Sequence, residues 1–402
     1  MKKNRLWNAL VLVMLSSLLV ALVLGAGGVG AQTPAPQAAG KVGDTLGVPG
    51  KIGKAIAEAP LGTGKGQIDP GAPRGWLGIP GAPQVNPVVT FLWAVWVGWI
   101  FATVGAFGGV MAGVGHVTVY GLGAYTAAFK ETAPTLNRLL TDSIRVSNQF
   151  LALLSSLVSS VNYYRMRRLV WPLGLALGAG SILGAILVPW LSGGKVTLSQ
   201  YQGWFGLFVL LVGIILLYET TPRGQARRKA ASEAARAFEK AIGEKGAETA
   251  QGVKVTRWNP SRVHFTFCGV EFSFNPLWPV LGGFVIAAIS SFIGAGGGFL
   301  YVPFLTSIVG LPMFIVAGTS ALTVFISMVS SITAYIKIAG AGIDWLLVGT
   351  QLVGVFVGSL IGPRTQKYIP DVWLKRLFVL LAFYVGLGYF SKGFFGRAWV
   401  PM

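Results

Sequence analysis

The sequence predicts an all-α protein: a polytopic transmembrane helix bundle of two inverted repeats, each a glycine-broken helical hairpin plus three spanning helices. Three observations predict it. Hydrophobic residues fill 53% of the 402 positions and charged residues only 11%, well under the ~25% charged content of soluble domains. Several apolar runs reach the ~20-residue length that crosses a hydrocarbon core. Finally, two distant segments look alike. Leu154-Ser155-Ser156-Leu157-Val158-Ser159-Ser160-Val161 matches Phe325-Ile326-Ser327-Met328-Val329-Ser330-Ser331-Ile332, and the same offset sets Ser147-Asn148-Gln149 on Gly318-Thr319-Ser320. With a short gap, Gly180 and Gly184 fall on Gly354 and Gly358, and Pro189 on Pro363. Two copies of one membrane unit are typical of secondary transporters.

The elements follow in order. Lys2, Lys3 and Arg5 precede an apolar run from Leu6 to Leu24, and small residues lead on to Ala31. Residues 1–31 therefore read as a signal peptide or, uncleaved, as an N-terminal anchor. Residues 32–86 are rich in Gly, Pro, Ala and Gln without a sustained apolar period, which predicts a flexible extracytoplasmic segment. The first repeat occupies 87–219. Its opening stretch, Val88 to Phe129, is too long for one span and is broken by Gly105, Gly108, Gly109, Gly113, Gly115, Gly121 and Gly123; spans are expected at 141–163, 169–190 and 201–218. A basic insertion, 220–275, carries Arg223, Arg227, Arg228, Lys229, Arg236 and Lys240, and ends in a stretch whose alternation predicts a short hairpin (Val263, Phe265 and Phe267 against His264 and Thr266). The second repeat, 276–395, has a glycine-broken stretch at 276–309 and spans at 313–338, 343–361 and 373–390.

Charge sets the expected topology. Short Lys/Arg-bearing loops favour the cytoplasm, and Arg165, Arg167 and Arg168, the stretch from Arg364 to Arg376, and the insertion all qualify. The chain then enters unit one from outside and unit two from inside, and each broken stretch must begin and end on one side. The copies come out inverted, the arrangement that supports alternating access.

The composition also excludes functions. A net charge of +19 would suit nucleic acid, but no soluble domain of adequate size remains to bind it, so basic loops account for it. One cysteine, Cys268, and two histidines leave neither an internal disulfide nor a metal centre. No phosphate loop and no Ser-His-Asp set occurs, so an enzyme is not expected. Asp142 and Asp344 lie near helix starts and Glu219 closes a span, so no carboxylate is expected at membrane depth, against a cation pump.

What remains are glycines and hydroxyls. Gly294, Gly296, Gly297 and Gly298 should unwind a helix inside the membrane, since glycine loses most entropy on staying helical. Unwound backbone is tolerated there only inside protein or along a cavity, and its freed amides beside a helix start favour a small anion; the competing reading is tight helix crossing. Gly318, Thr319 and Ser320, with Thr323, Ser327, Ser330 and Ser331, align hydroxyls that could serve an oxyanion or simply bond neighbouring helices. In unit one Ser147, Asn148 and Gln149 take the corresponding places. Arg145, less than one turn before them, could supply a fixed positive charge near the pathway or snorkel to the surface. His116 stands where unit two has its glycines, as a pore residue or one bonded to a nearby carbonyl.

The runs GAGGGFLYVPFL, GLPMFIVAGTSAL and GVFVGSLIGP resemble the sulfite exporter TauE/SafE family, strongly over 276–395 and more weakly over 88–219. Gly294, Gly296, Gly297, Gly298, Pro303, Gly318, Thr319 and Ser320 match its pattern by position. The resemblance implies a multi-pass permease of the inner membrane that moves sulfite, sulfoacetate or related sulfur-containing anions without a bound prosthetic cofactor. Unit one departs from the pattern with Ala112-Gly113-Val114-Gly115-His116 in place of a second glycine-rich run, with extra residues before Ser147 and with the basic insertion. The expected partners are thus a small anionic substrate and the lipid bilayer, and no nucleic acid; a homo-oligomer is compatible with the sequence. The alternative is a membrane-embedded assembly or sensing partner that acts through the insertion without moving solute.

Overall fold

The computed structural model describes residues 50–103, 107–165, 169–226, 254–259, 261–267, 270–309, 313–366 and 371–401. The signal segment expected at 1–31 and the basic stretch 227–253 lie outside them.

After a short helix α1 (Gly50–Ala57), the first unit opens with α2 (Pro87–Thr103). Asn86 caps it by accepting from the Val88 N–H at 2.8 Å, with proline at the first helical position. Helix α3 (Phe107–Val114) runs into a π-helical turn at Gly115–Val119, and α4 (Leu122–Ala128) begins after Gly121, whose φ is +71°. Three long helices follow: α5 (Pro134–Arg165), α6 (Trp171–Ser192) and α7 (Leu198–Thr220). The last starts with a capping box between Thr197 and Gln200. The second unit contains α8 (Leu277–Ile293), α9 (Gly298–Ser307), α10 (Met313–Ala334) and its π-helical turn Tyr335–Ala339, α11 (Trp345–Gln366) and α12 (Asp371–Phe395). Each span read from the sequence corresponds to one of these helices.

Among the described residues, five helical stretches are long and apolar enough to cross a membrane: Pro172–Ser192, Leu198–Thr220, Gly318–Ala339, Trp345–Gly362 and Lys375–Phe395. They carry exposed large apolar residues such as Leu183, Leu211, Ile214, Val353 and Leu380, as helices that meet lipid do. Helix α5 differs because it is polar. Residues 139–149 are buried on every face of it, so Thr141, Asp142, Ser143, Arg145, Ser147, Asn148 and Gln149 all face protein. The other helices screen this polar rod from lipid.

The packing is reciprocal. Helix α2 of the first broken hairpin lies against α11 of unit two, and α8 of the second lies against α6 of unit one, while α5 pairs with α10 and α7 with α12. The glycines that match in sequence make the first two contacts. A side chain at Gly180 or Gly184 would run into the backbone of α8 at Val280 and Phe284, and one at Gly354 or Gly358 into α2 at Phe91 and Val95. Small residues let the backbones touch, the usual source of helix association in lipid.

Two regions depart from expectation. Residues 50–86 are not a loose segment. Ile52, Ile56, Ile68, Trp76 and Ile79 are buried in the same core as Trp93 and Phe107, and the segment is tied down at long range. Lys51 Nζ donates to the Ile338 carbonyl at 2.8 Å, the Leu77 N–H to Asp344 Oδ2 at 3.0 Å, and Thr132 Oγ1 to the Gly66 carbonyl at 2.6 Å. Between this cap and the starts of α2 and α11 lies a cavity of about 190 Å³ lined by residues including Arg74, Gln84, Thr90 and Asp344. The stretch expected to form a hairpin is instead a three-stranded antiparallel meander, β1 (Lys254–Trp258), β2 (Val263–Phe267) and β3 (Val270–Phe274). Val263 and Phe265, with Phe274 opposite Val263, are buried against the helices in one core with Val170, Leu173 and Leu305, as the alternation at those two positions predicts. These strands make the chain mostly, rather than wholly, helical.

Candidate functional site

The break in the second hairpin lies inside the protein, against helix α3 of the first. In unit two, α8 ends at Gly294, whose φ of +76° is left-handed and suits only glycine, and α9 restarts at Gly298. Gly294, Gly296 and Gly297 are buried and Gly298 is half-buried. A Cβ on Gly294 would lie 2.9 Å from the Arg145 carbonyl and 3.4 Å from Asn148 Cβ, and one on Gly296 3.2 Å from Ala152 Cβ. The break therefore rests on the polar stretch of α5. From unit one, a Cβ on Gly109 would meet Ala295 Cβ at 2.9 Å, and one on Gly113 would approach Asn148 Nδ2 at 3.5 Å. Asn148 is thus wedged between the two hairpins.

Around it the polar side chains form a connected set. Asn148 Nδ2 donates to Tyr201 OH at 3.4 Å, and Tyr201 OH donates to the Ile293 carbonyl at 2.9 Å. Gln149 Nε2 donates to the Ser291 carbonyl at 3.0 Å, and Ser291 Oγ shares a 2.7 Å bond with Ser331 Oγ. His116 Nδ1 donates to the Ala112 carbonyl at 3.0 Å, which leaves Nε2 bare to accept from Gln351 Nε2 at 2.9 Å. The histidine thus has the carbonyl partner that one sequence reading gave it, plus an amide from the other unit. Ser147 Oγ returns to the Ser143 carbonyl of its own helix.

Arg145 corrects an expectation. It neither snorkels nor offers a free charge, for its side chain is 0% exposed and its Nη1 bonds Asp142 Oδ1 at 2.8 Å. Its Nε donates to the Phe292 carbonyl at 2.8 Å, and the guanidinium lies 4.6 Å and 4.7 Å from the ring centroids of Phe292 and Tyr335. Asp142, expected near a helix start, is equally buried and also accepts from the Gly194 N–H at 2.7 Å. The pair caps the carbonyl end of α8, where the helix dipole is negative, and joins α5, α6 and α8 with no net charge.

The Gly318-Thr319-Ser320 triplet stands apart from the break. Thr319 Oγ1 accepts from the N–H of Val170, the residue before α6, at 3.1 Å, while Ser320 and Thr323 bond carbonyls of their own helix. Its link to the break runs through Val324, whose methyls lie under Gly296 and Gly298. Thr319→Val leaves the buried Val170 N–H without this acceptor and is expected to lower unfolding stability by about 1–3 kcal/mol, measured by chemical denaturation in detergent. Sequence reasoning missed Tyr201, Ser291, Tyr335 and Gln351. For Gln351 the signal was available: a lone amide in an apolar span is a functional candidate by default.

Two broken hairpins, long apolar helices around a polar central one, and reciprocal glycine contacts define a multi-pass α-helical membrane protein. The family model described as sulfite exporter TauE/SafE matches residues 90–389, and the chain belongs to that family. It is also 34% identical over 117 residues to a probable membrane transporter protein of Methanocaldococcus jannaschii, a match covering 27% of this chain and 43% of the relative. No solved structure matches it.

Proposed function

We propose that the protein is a secondary transporter that moves a small sulfur-containing oxyanion, sulfite or an organosulfonate, across the cell's inner membrane. The observation that carries the reading is the break at Gly294–Gly297, inside protein, resting on Asn148 of the polar helix with α3 of the first hairpin against it. Backbone breaks at that depth are maintained where they line a substrate route. The start of α9 supplies a partial positive charge suited to an anion, and the buried Asn148 lies beside the break that precedes it. In this reading the two units are inverted copies, supported by the exchange in which each hairpin packs on the other unit's helix. Residues 50–86 then face outward and the β meander faces the cytoplasm.

The test is flux of radiolabelled sulfite into liposomes holding the purified protein, with sulfate, thiosulfate, sulfoacetate and chloride as competitors. Saturable flux blocked by a sulfur oxyanion is expected. A side chain at Gly297 would collide with the Ser290 hydroxyl and Ile286, so Gly297→Leu is expected to reduce flux to that of empty liposomes while the protein still inserts. Lack of flux under every imposed gradient would favour the second reading, an assembly or sensing partner working through the basic insertion.

A further inference from the structure

We propose that the cavity beneath residues 50–86 is the cap-side vestibule of the transport route, that it takes a small oxyanion at Arg74, and that the hydrogen bond between Gln351 and His116 is the closed point below it. The proposal rests on the transport reading and adds to it where the anion first binds and what bars its way.

The cavity suits such a solute. It lies between the cap and the starts of α2 and α11, and its lining includes Arg74, Gln84, Thr90, Asp344, Leu347 and Thr350. At about 190 Å³ it is smaller than the ~300 Å³ at which drug-sized pockets begin, so it fits a molecule of a few heavy atoms. Two of the lining residues are charged. Asp344 is half-buried, and each of its oxygens accepts a backbone N–H at 3.0 Å, from Leu347 at Oδ1 and from Leu77 at Oδ2. Its charge is therefore taken up by the start of α11 and by the cap. Arg74 is the exposed one of the two, and a guanidinium presents five N–H donors in a fork that fits an oxyanion. A solute arriving from the cap side meets that cation first.

The cavity also leads inward. Helices α2 and α11 run from it side by side in one direction, since a Cβ on Gly354, Gly358 or Gly362 would meet α2 at Phe91, Val95 and Trp99 in turn. On α11, Gln351 stands one turn past Leu347 on the same face, and on α2, Trp93 stands one turn past Thr90. Both reach the first hairpin at one place. Gln351 Nε2 donates to His116 Nε2 at 2.9 Å, and Trp93 Nε1 donates to the Met111 carbonyl at 3.1 Å. The Trp93 ring lies on Gly115, where a Cβ would come within 2.4 Å of Nε1. Three residues before His116, Gly113 faces Asn148, which in turn rests on Gly294. Contacts thus run from the cavity to the glycine break. Trp93, His116 and Gln351 are all buried, so the way is shut at their level. The Gln351–His116 bond joins the two units there, and parting one neutral hydrogen bond costs little.

Cysteine labelling tests both parts without relying on flux. Cys268 is the only cysteine, so a Cys268→Ser background lets Thr350→Cys place a single thiol in the cavity. Two methanethiosulfonates of similar size, one ending in a sulfonate and one in a trimethylammonium, are compared on the purified protein. Each rate is divided by that for a free thiol in solution. The sulfonate reagent is expected to be favoured at least about threefold by the local positive charge. Sulfoacetate should slow it, and Arg74→Gln should bring the ratio towards unity. Leu346→Cys, in the same lining and exposed, repeats the comparison if Thr350→Cys fails to fold. Equal normalised rates, or a preference that survives Arg74→Gln, would overturn the vestibule. Asn148→Cys, beyond the closed point, should react far more slowly, and Gln351→Ala should narrow that gap. An unchanged gap would take the closed point away from this bond. A sulfonate preference alongside sulfite flux no greater than that of empty liposomes would uphold the binding site and sink transport instead.

Discussion

Arg145→Leu is expected to destabilise the folded protein by about 3–5 kcal/mol, the usual loss when one member of a buried ion pair is removed. Asp142 would keep the Gly194 N–H but lose its counter-charge at a site with no solvent exposure. The Phe292 carbonyl would lose its cap, and the Phe292 and Tyr335 rings the cation between them. Asp142→Leu should cost a similar amount by stranding the guanidinium. The double variant is informative because it removes both charges. It should be more stable than either single variant and fall short of wild type, since the Gly194 N–H and the Phe292 carbonyl remain unpaired at about 1–3 kcal/mol each. Chemical unfolding of the four proteins in one detergent gives the coupling energy directly. Additive single losses would show that the two residues act independently and that the junction of α5, α6 and α8 is held by packing alone.

Arg145 also shows where the sequence stops being legible. The long apolar spans could be located because their signal is local: length and apolarity suffice, and the glycine break at 294–298 announces itself. Burial of a charge is not local. What encloses Arg145 comes from Ser192, Phe292 and Tyr335, each far along the chain, so a charge and a carboxylate near the start of a helix read as surface groups. Residues 50–86 were misjudged for a related reason. Beyond the short helix α1, whose Ile52, Ala55 and Ile56 keep a helical period, their buried residues follow no helical or strand period, and what orders them is contact with Ile338, Gly342 and Asp344. In the candidate site, Asn148, Gln149 and His116 were visible as polar residues in apolar surroundings. That the amide of Gln351 closes on His116 from the other unit required the fold, because 235 residues separate them. The Gly-Thr-Ser triplet was visible too, yet its threonine serves the start of α6.

Gly358→Leu should have the largest effect of any single substitution in α11, with little folded protein recovered. Its side chain would enter the α2 backbone at Val95 and Trp99, where a main chain cannot give way as a flexible side chain can. Gly180→Leu should do the same at the α6–α8 contact, against Val280 and Phe284. If these contacts are equivalent faces of a repeated unit, the two losses will match, read as monodisperse protein after size exclusion. A control lies on the same helix. A Cβ on Gly349 would meet nothing within 4 Å, so Gly349→Ala should be neutral or stabilising by about 0.5–1 kcal/mol, the helix-propensity difference. Spacing alone makes all three glycines look similar, whereas contact predicts collapse at two and tolerance at the third. If Gly358→Leu were folded and Gly349→Ala impaired, the α2–α11 contact would be wrongly drawn, and the reciprocal packing that suggests two inverted units would go with it.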